Sequence, residues 1–280
     1  MEESVFVWLN DKLLPLGEAR VSVNDRGFLY GDGFFETLRA EAGRVRFLGE
    51  HLARLKNSAR AFRLPFPEGL PWEETLDALL TANNLQTGLA AVKILLSRGV
   101  APTLGLPDTS NPTLVIWARP YTPPREAEYR DGWPVVIFPE HRSTFLGRHK
   151  SLNYLFYLSA RQYALDQGVR EALILESDGL VSEGAATSLV FTKADRFYTP
   201  LAASALPGVT IAVLSRALVR QGKRLEPVPT SLSQLQQANG LWLANSLMGL
   251  MPVNFLDRHP LPISPQTNQF LQNCLTSEVG

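Results

Sequence analysis

The stretch Pro120-Tyr121-Thr122-Pro123-Pro124-Arg125-Glu126 constrains the fold more than any other. Proline fixes φ and lacks an amide hydrogen, so this proline-rich, polar run reads as a linker. It divides a chain of 280 residues into pieces of ordinary domain size. The expectation is a first domain over 1–119, a linker over 120–130 and a second domain over 131–280. The 27 Lys and Arg balance 27 Asp and Glu. That balance gives no sign of a nucleic-acid or acidic-membrane partner. A single cysteine, Cys274, excludes an internal disulfide and suits a reducing compartment. The acidic start Met1-Glu2-Glu3-Ser4 lacks the basic and apolar regions of a signal peptide. No apolar run is long enough to span a membrane. A soluble, cytoplasmic protein is expected.

Hydrophobic periodicity orders the elements. Val5–Leu9 alternates like a strand, turns at Asn10-Asp11 and resumes at Lys12, which is a hairpin pattern. In Tyr30-Gly31-Asp32-Gly33 and the preceding Gly27, three glycines among aromatics suggest backbone closely approaching something, before a strand Phe34–Ala40. Leu48, Leu52, Leu55, Ala59 and Phe62 mark one helix face, with Arg54 on another. A second helix over Trp72–Asn84 precedes strands Ala90–Ser97 and Thr113–Ala118. Beyond the prolines come a strand Val135–Phe138, a turn-like run around Lys150 and a helix Leu152–Gln167. Strands Glu171–Glu176, Ser188–Thr192 and Arg196–Thr199 follow. A helix opens at Leu206–Thr210 and runs to about Gln221. Strand Leu225–Pro229, helix Ser231–Ala238 and strand Leu241–Ala244 complete the pattern.

Three features share one chemistry. Lys150, in Gly147-Arg148-His149-Lys150-Ser151-Leu152-Asn153-Tyr154, sits at a junction where a constrained, partly desolvated amine can serve as a Schiff-base lysine. Glu183 lies among the small residues Ser182, Gly184, Ala185 and Ala186 and can reach a flat ring. There a buried carboxylate would keep a ring nitrogen protonated. Gly208-Val209-Thr210 opens a helix, whose first amides suit a phosphate. Ser246-Leu247 offers a second hydroxyl and amide, and Arg54 a positive charge. The expected cofactor is pyridoxal 5′-phosphate.

These segments fall in an order that resembles a known family. Tyr-Gly-Asp-Gly-x-Phe-Glu-Thr, His-Leu-x-Arg-Leu, Lys-Ser-Leu-Asn-Tyr, Ser-Glu-Gly, Leu-Pro-Gly-Val-Thr and Asn-Ser-Leu-x-Gly-x-x-Pro-Val run colinearly from about Val23 to Val253. The pattern is similar to the class IV (fold type IV) pyridoxal-phosphate enzymes. That group holds branched-chain and D-amino-acid aminotransferases and 4-amino-4-deoxychorismate lyases. The resemblance implies a mixed α/β (α+β) fold in two domains: a small N-terminal α/β domain and a larger, β-barrel-like C-terminal domain with helices. It implies that Lys150 carries the cofactor, that Glu183 pairs with the pyridine nitrogen and that Tyr154 lies near the ring's phenolic oxygen. Arg54, Val209, Thr210, Ser246 and Leu247 would hold the phosphate.

Phe35-Glu36-Thr37 and Asn245-Ser246-Leu247-Met248-Gly249 lean toward the lyase, which forms 4-aminobenzoate and pyruvate for folate synthesis. An aminotransferase of branched-chain or D-amino acids is the alternative. Val100-Ala101-Pro102-Thr103-Leu104-Gly105 departs from the Gly-Arg-Gly-Tyr of many lyases, which bears on the substrate. Ile211 replaces a common arginine and Leu189 a common asparagine. Thr37 is the candidate for assisting the leaving group. Arg98 and Tyr30 are candidates for binding substrate, with Arg148 and His149 as further candidates. The resemblance also implies a homodimer, with Leu104–Asp108 as a mobile loop over the neighbour's site.

Overall fold

The computed structural model describes residues 5–108 and 111–278. The acidic Met1–Ser4 start lies outside the described residues. The chain forms two compact units: residues up to Thr122 together with Lys150–Tyr154 make one, and Pro123–His149 with Leu155 onward make the other.

The first unit contains β1 (Phe6–Leu9), β2 (Lys12–Pro15), α1 (Arg26–Tyr30), β3 (Gly33–Glu41), β4 (Arg44–Val45), α2 (Leu48–Ala61), α3 (Trp72–Ala82), β5 (Leu89–Ser97) and β6 (Thr113–Pro120). The strands form an antiparallel sheet in the order β2-β1-β6-β5-β3-β4. Asn10 adopts φ 56° in the two-residue turn of the first hairpin, a left-handed conformation that asparagine tolerates. Strand alternation sorts β3 cleanly. Phe34, Leu38 and Ala40 pack with Leu55 and Ala59 of α2 and Leu76, Leu79 and Leu80 of α3 into one core. Phe35, Thr37 and Arg39 face the other way.

The helix expected from Leu152 starts only at Leu155. Residues 150–154 instead run along the start of β3. Phe35 N–H donates to Lys150 O at 2.8 Å and Leu152 N–H to Gly33 O at 2.9 Å. Those sheet-like bonds hold the segment extended, and helical periodicity cannot reveal them. They also explain the glycines. A Cβ on Gly33 would come within 2.7 Å of Leu152 Cδ1, and one on Gly31, which has φ 65°, within 3.1 Å of the Asn153 amide. Gly31 approaches the backbone of Asn153, whereas a Cβ on Gly33 would meet Leu96 O at 2.5 Å as well as the Leu152 side chain. The same region holds α1, capped by the Asp25 side chain accepting from Gly27 N–H, an element the sequence did not signal.

The second unit contains α4 (Glu126–Asp131), β7 (Trp133–Ile137), α5 (Leu155–Asp166), β8 (Glu171–Leu175), β9 (Val181–Gly184), β10 (Ser188–Lys193), β11 (Arg196–Pro200), α6 (Val209–Arg220), β12 (Leu225–Val228), α7 (Leu232–Gln236), β13 (Gly240–Asn245), β14 (Gly249–Leu256), β15 (His259–Pro260) and α8 (Pro265–Thr276). The expected linker therefore ends in a short helix, α4. The strand path is β12-β11-β10-β13-β14-β7-β8-β9, with β15 added beside β14. Odd-numbered residues along this path, among them Val135, Leu173, Val181, Leu189, Leu241, Met251 and Val253, meet in a single core. A flat sheet of this width could not gather strands from so far apart, so it is curled around that core. Trp242 and Leu214 are buried outside it. Strand β14 and helix α8 went unassigned from sequence. Yet Ser264 caps α8 with Pro265 at its first position, a legible start signal.

Candidate active site

In the first unit Lys150 is framed by aromatic rings. Lys150 Nζ lies 4.7 Å from the centre of the Phe35 ring and 5.5 Å from that of Tyr154, and the two rings meet edge-on at 5.1 Å. Half-buried against π faces, the amine sits in a partly desolvated setting. A second amine shares the same ring: Lys93 Nζ is 4.5 Å from the Phe35 centre. Burial, and then the charge of Arg119, push the Lys93 pKa down. Lys93 faces Thr37 across the β3–β5 ladder, with Arg39 and Arg119 in the next row on the same sheet face. Arg39 is paired with Glu41 at 2.6 Å. Lys93 was not singled out from sequence, because an apolar strand with one lysine reads as an edge or surface position.

Arg54 is not a solvated helix residue. Its Nε donates to Glu36 Oε1 at 2.8 Å and its Nη2 to Glu36 Oε2 at 2.6 Å, while His51 Nδ1 lies 2.7 Å from Oε2. Burial favours the neutral Glu36 acid, but the Arg54 and His51 hydrogen bonds and charges outweigh it and hold the pKa at about 2.

Arg98 corrects an expectation. Its side chain is fully buried, and all five donors are used. Nε and Nη2 donate to the Asp32 carboxylate, Nη1 to Arg63 O and Pro107 O, and Nη2 also to Phe62 O. It has no donor left for a substrate carboxylate in this arrangement. Arg26 pairs with the same Asp32 and donates to Thr103 O and Gly105 O. The Leu104–Asp108 loop, expected to be mobile, is thus tied down by two arginines. Tyr30, 54% exposed, lies with its ring under the Arg26 guanidinium at 5.0 Å.

In the second unit three predicted segments converge on residues 183–188. Glu183, 6% exposed, accepts the Tyr157 hydroxyl on Oε1 at 2.6 Å and the Leu206 N–H on Oε2 at 3.1 Å. A Cβ on Gly208 would meet Ser188 Oγ at 2.5 Å, so the start of α6 packs there. Asn245 Nδ2 donates to Ala186 O at 3.3 Å, which brings in the 245–248 turn. Gly208 caps α6 without a side chain, and Val209 and Thr210 form its first, buried residues. The Leu247 N–H is given to Asn245 Oδ1 at 3.1 Å, alongside that of Met248. That Leu247 amide and the Ser246 hydroxyl are the groups of this turn expected to reach a phosphate. Glu171 lies beneath the same loop and accepts from Ala185 N–H, Ala186 N–H and Thr187 Oγ1. Its complete burial pushes its pKa up. Arg148 and His149 end the short 3-10 turn Phe145–Arg148; Arg148 is exposed, and burial, then Arg148, push the His149 pKa down.

Comparison with known proteins bears on this arrangement. The model of the amino-transferase class IV family matches residues 33–255. A Methanocaldococcus jannaschii protein provisionally named a branched-chain-amino-acid aminotransferase is 34% identical over 260 residues, spanning 90% of this chain and 88% of its own length. An aminodeoxychorismate lyase from Bacillus subtilis (strain 168) is 28% identical over 251 residues, spanning 88% and 85%. In fold, the chain is similar to the branched-chain aminotransferase of the thermophilic archaeon Thermoproteus uzoniensis, with a TM-score of 0.85 and 23% identity, covering 97% of this chain and 93% of that one.

Proposed function

This chain belongs to the amino-transferase class IV family, and from that premise we propose that it is a 4-amino-4-deoxychorismate lyase, forming 4-aminobenzoate and pyruvate. Its cofactor is pyridoxal 5′-phosphate. The residues present fit that group. A helix start without a side-chain cap suits the phosphate, and a buried carboxylate with two fixed donors suits the ring nitrogen. A lysine against aromatic faces suits the carbonyl. When bound, the cofactor supplies a carbonyl that condenses with amines and a protonated ring that withdraws electrons.

In this reading Lys150 would hold the cofactor, and its Nζ would take the proton from the amine-bearing carbon of the substrate. Glu183 holds the proton on the ring nitrogen. Val209, Thr210, Ser246 and Arg54 bind the phosphate, and Tyr154 orients the ring. Thr37 Oγ gives a hydrogen bond to the departing enolpyruvyl oxygen.

The observation that carries the lyase reading is the second amine on the Phe35 ring. Lys93 and Lys150 approach that ring at 4.5 and 4.7 Å, and Arg119 lies in the next row. A cationic wall beside the reacting lysine suits a substrate with two carboxylates better than one with a branched aliphatic chain. The higher identity to the Methanocaldococcus protein favours the second reading, an aminotransferase. One assay separates them: purified protein with aminodeoxychorismate, scored for 4-aminobenzoate, beside an amino acid with 2-oxoglutarate. Formation of 4-aminobenzoate that falls in Lys93→Gln through a raised KM supports the lyase. Amino-group transfer without 4-aminobenzoate overturns it.

A further inference from the structure

Glu183 is the end of a chain of contacts within the second unit that the motifs do not describe. The hydroxyl of Tyr157, a buried residue on α5, donates to Glu183 Oε1 at 2.6 Å. The guanidinium carbon of Arg142 lies 4.8 Å from the centre of the Tyr157 ring and 5.0 Å from that of Phe156. The Phe156 and Tyr157 rings themselves meet edge-on at 5.9 Å. Arg142 Nη1 is buried without a hydrogen-bond partner among the described residues, so at that atom the guanidinium is held by ring faces. Its backbone is fixed as well, because Arg142 N–H donates to Leu175 O at 2.9 Å.

We infer that Tyr157, backed by the Arg142 cation on its ring, is a positioning residue that keeps Glu183 ionised so that the proton of the cofactor's ring nitrogen stays on that nitrogen. The inference rests on the reading of Glu183 as the partner of the ring nitrogen. A pyridinium facing a carboxylate shares one proton, and the proton settles on whichever partner is the stronger base. Two donors on Glu183, the Tyr157 hydroxyl and the Leu206 amide, stabilise the carboxylate and make it the weaker base. A cation over a phenol ring withdraws electron density from it and strengthens the O–H as a donor. Arg142 therefore acts on Glu183 through Tyr157. A phenylalanine at 157 could fill the same space but would let the proton move toward the glutamate.

The test uses the holoenzyme loaded with pyridoxal phosphate labelled with nitrogen-15 in the ring, read by the nitrogen chemical shift. Wild type is expected to show a protonated ring nitrogen. Tyr157→Phe should move the shift part of the way toward neutral pyridine, and Arg142→Met by a smaller amount in the same direction. In a Tyr157→Phe background, Arg142→Met should add nothing, because the path is already cut. A hydrogen bond to a charged group is worth about 1.5–3 kcal/mol, so the ratio of proton on the ring nitrogen to proton on Glu183 should fall by about tenfold or more. A purely structural role would lower thermal stability without moving the shift. An unchanged shift in Tyr157→Phe, while Glu183→Gln does move it, overturns this inference and leaves the Glu183 assignment standing. No movement in Glu183→Gln overturns that assignment and this inference together. If Tyr157→Phe does not hold the cofactor, Arg142→Met, which keeps the hydrogen bond, decides: an unmoved shift there overturns the role of the cation and with it the relay.

Discussion

Arg54 grips Glu36 through two parallel hydrogen bonds, at 2.8 and 2.6 Å, inside the first unit. Because Glu36 is buried and held at about 2, its ionised form stabilises the folded state. The folded pKa lies below the ordinary value of 4.5, so that stabilisation is complete above pH 4.5 and drains away as pH falls toward 2. The difference corresponds to roughly 3 kcal/mol. Denaturant titrations of wild type from neutral pH down to the acid side of that window should show this loss, and Glu36→Gln should lack that component. Equal acid sensitivity in the two proteins would refute the assignment.

Arg98 is predicted to be a structural residue. Arg98→Met leaves Asp32 and three backbone carbonyls without its donors, which costs about 3–5 kcal/mol for a buried pair. Thermal unfolding should move down sharply, with the KM of the surviving folded enzyme changed little. An unaltered Tm with a raised KM would return Arg98 to the substrate site.

Lys150→Ala should abolish the visible band of the loaded protein that borohydride bleaches, even where cofactor is retained non-covalently. Absorbance before and after reduction checks this. A wild-type protein that stays colourless with added pyridoxal phosphate would contradict the Lys150 assignment.

Exposed apolar side chains on the first unit predict self-association. Phe28 is 76% and Leu104 81% exposed, with Leu29, Tyr30, Val100 and Leu106 also exposed. A homodimer is expected by light scattering, and Phe28→Arg with Leu104→Asp should shift it toward monomer and lower activity together. Full activity from a monomer at assay concentration would rule the dimer out as a requirement.

What could be read in advance depended on how far apart the interacting residues lie. The Asn10 turn, the helix face from Leu48 to Phe62 and the opening of α6 at Gly208 are set by neighbours, and local patterning exposed them. Arg98 looked like a free cation at a strand end, because its partner Asp32 lies 66 residues away in sequence. Tyr157 was not singled out, since only folding brings its hydroxyl to Glu183, 26 residues away in sequence. The run at Lys150 was singled out from its residues, but its extended backbone was not, because its partners are Gly33 and Phe35. Lys93 was missed for a similar reason: its meaning comes from the ring of Phe35 on the adjacent strand.

The return of residues 150–154 to the first unit has a kinetic consequence. Lys150 O meets Phe35 N–H only after all of the chain between them has been made and drawn in. Loop closure of that span is entropically slow compared with hairpin formation. On the ribosome, β3 and β5 can pair long before the lysine segment has been synthesised. The lysine segment is therefore made after β3 and β5 and joins them across a long span. A nascent or truncated chain ending near Thr122 would carry the strands of this sheet without Lys150.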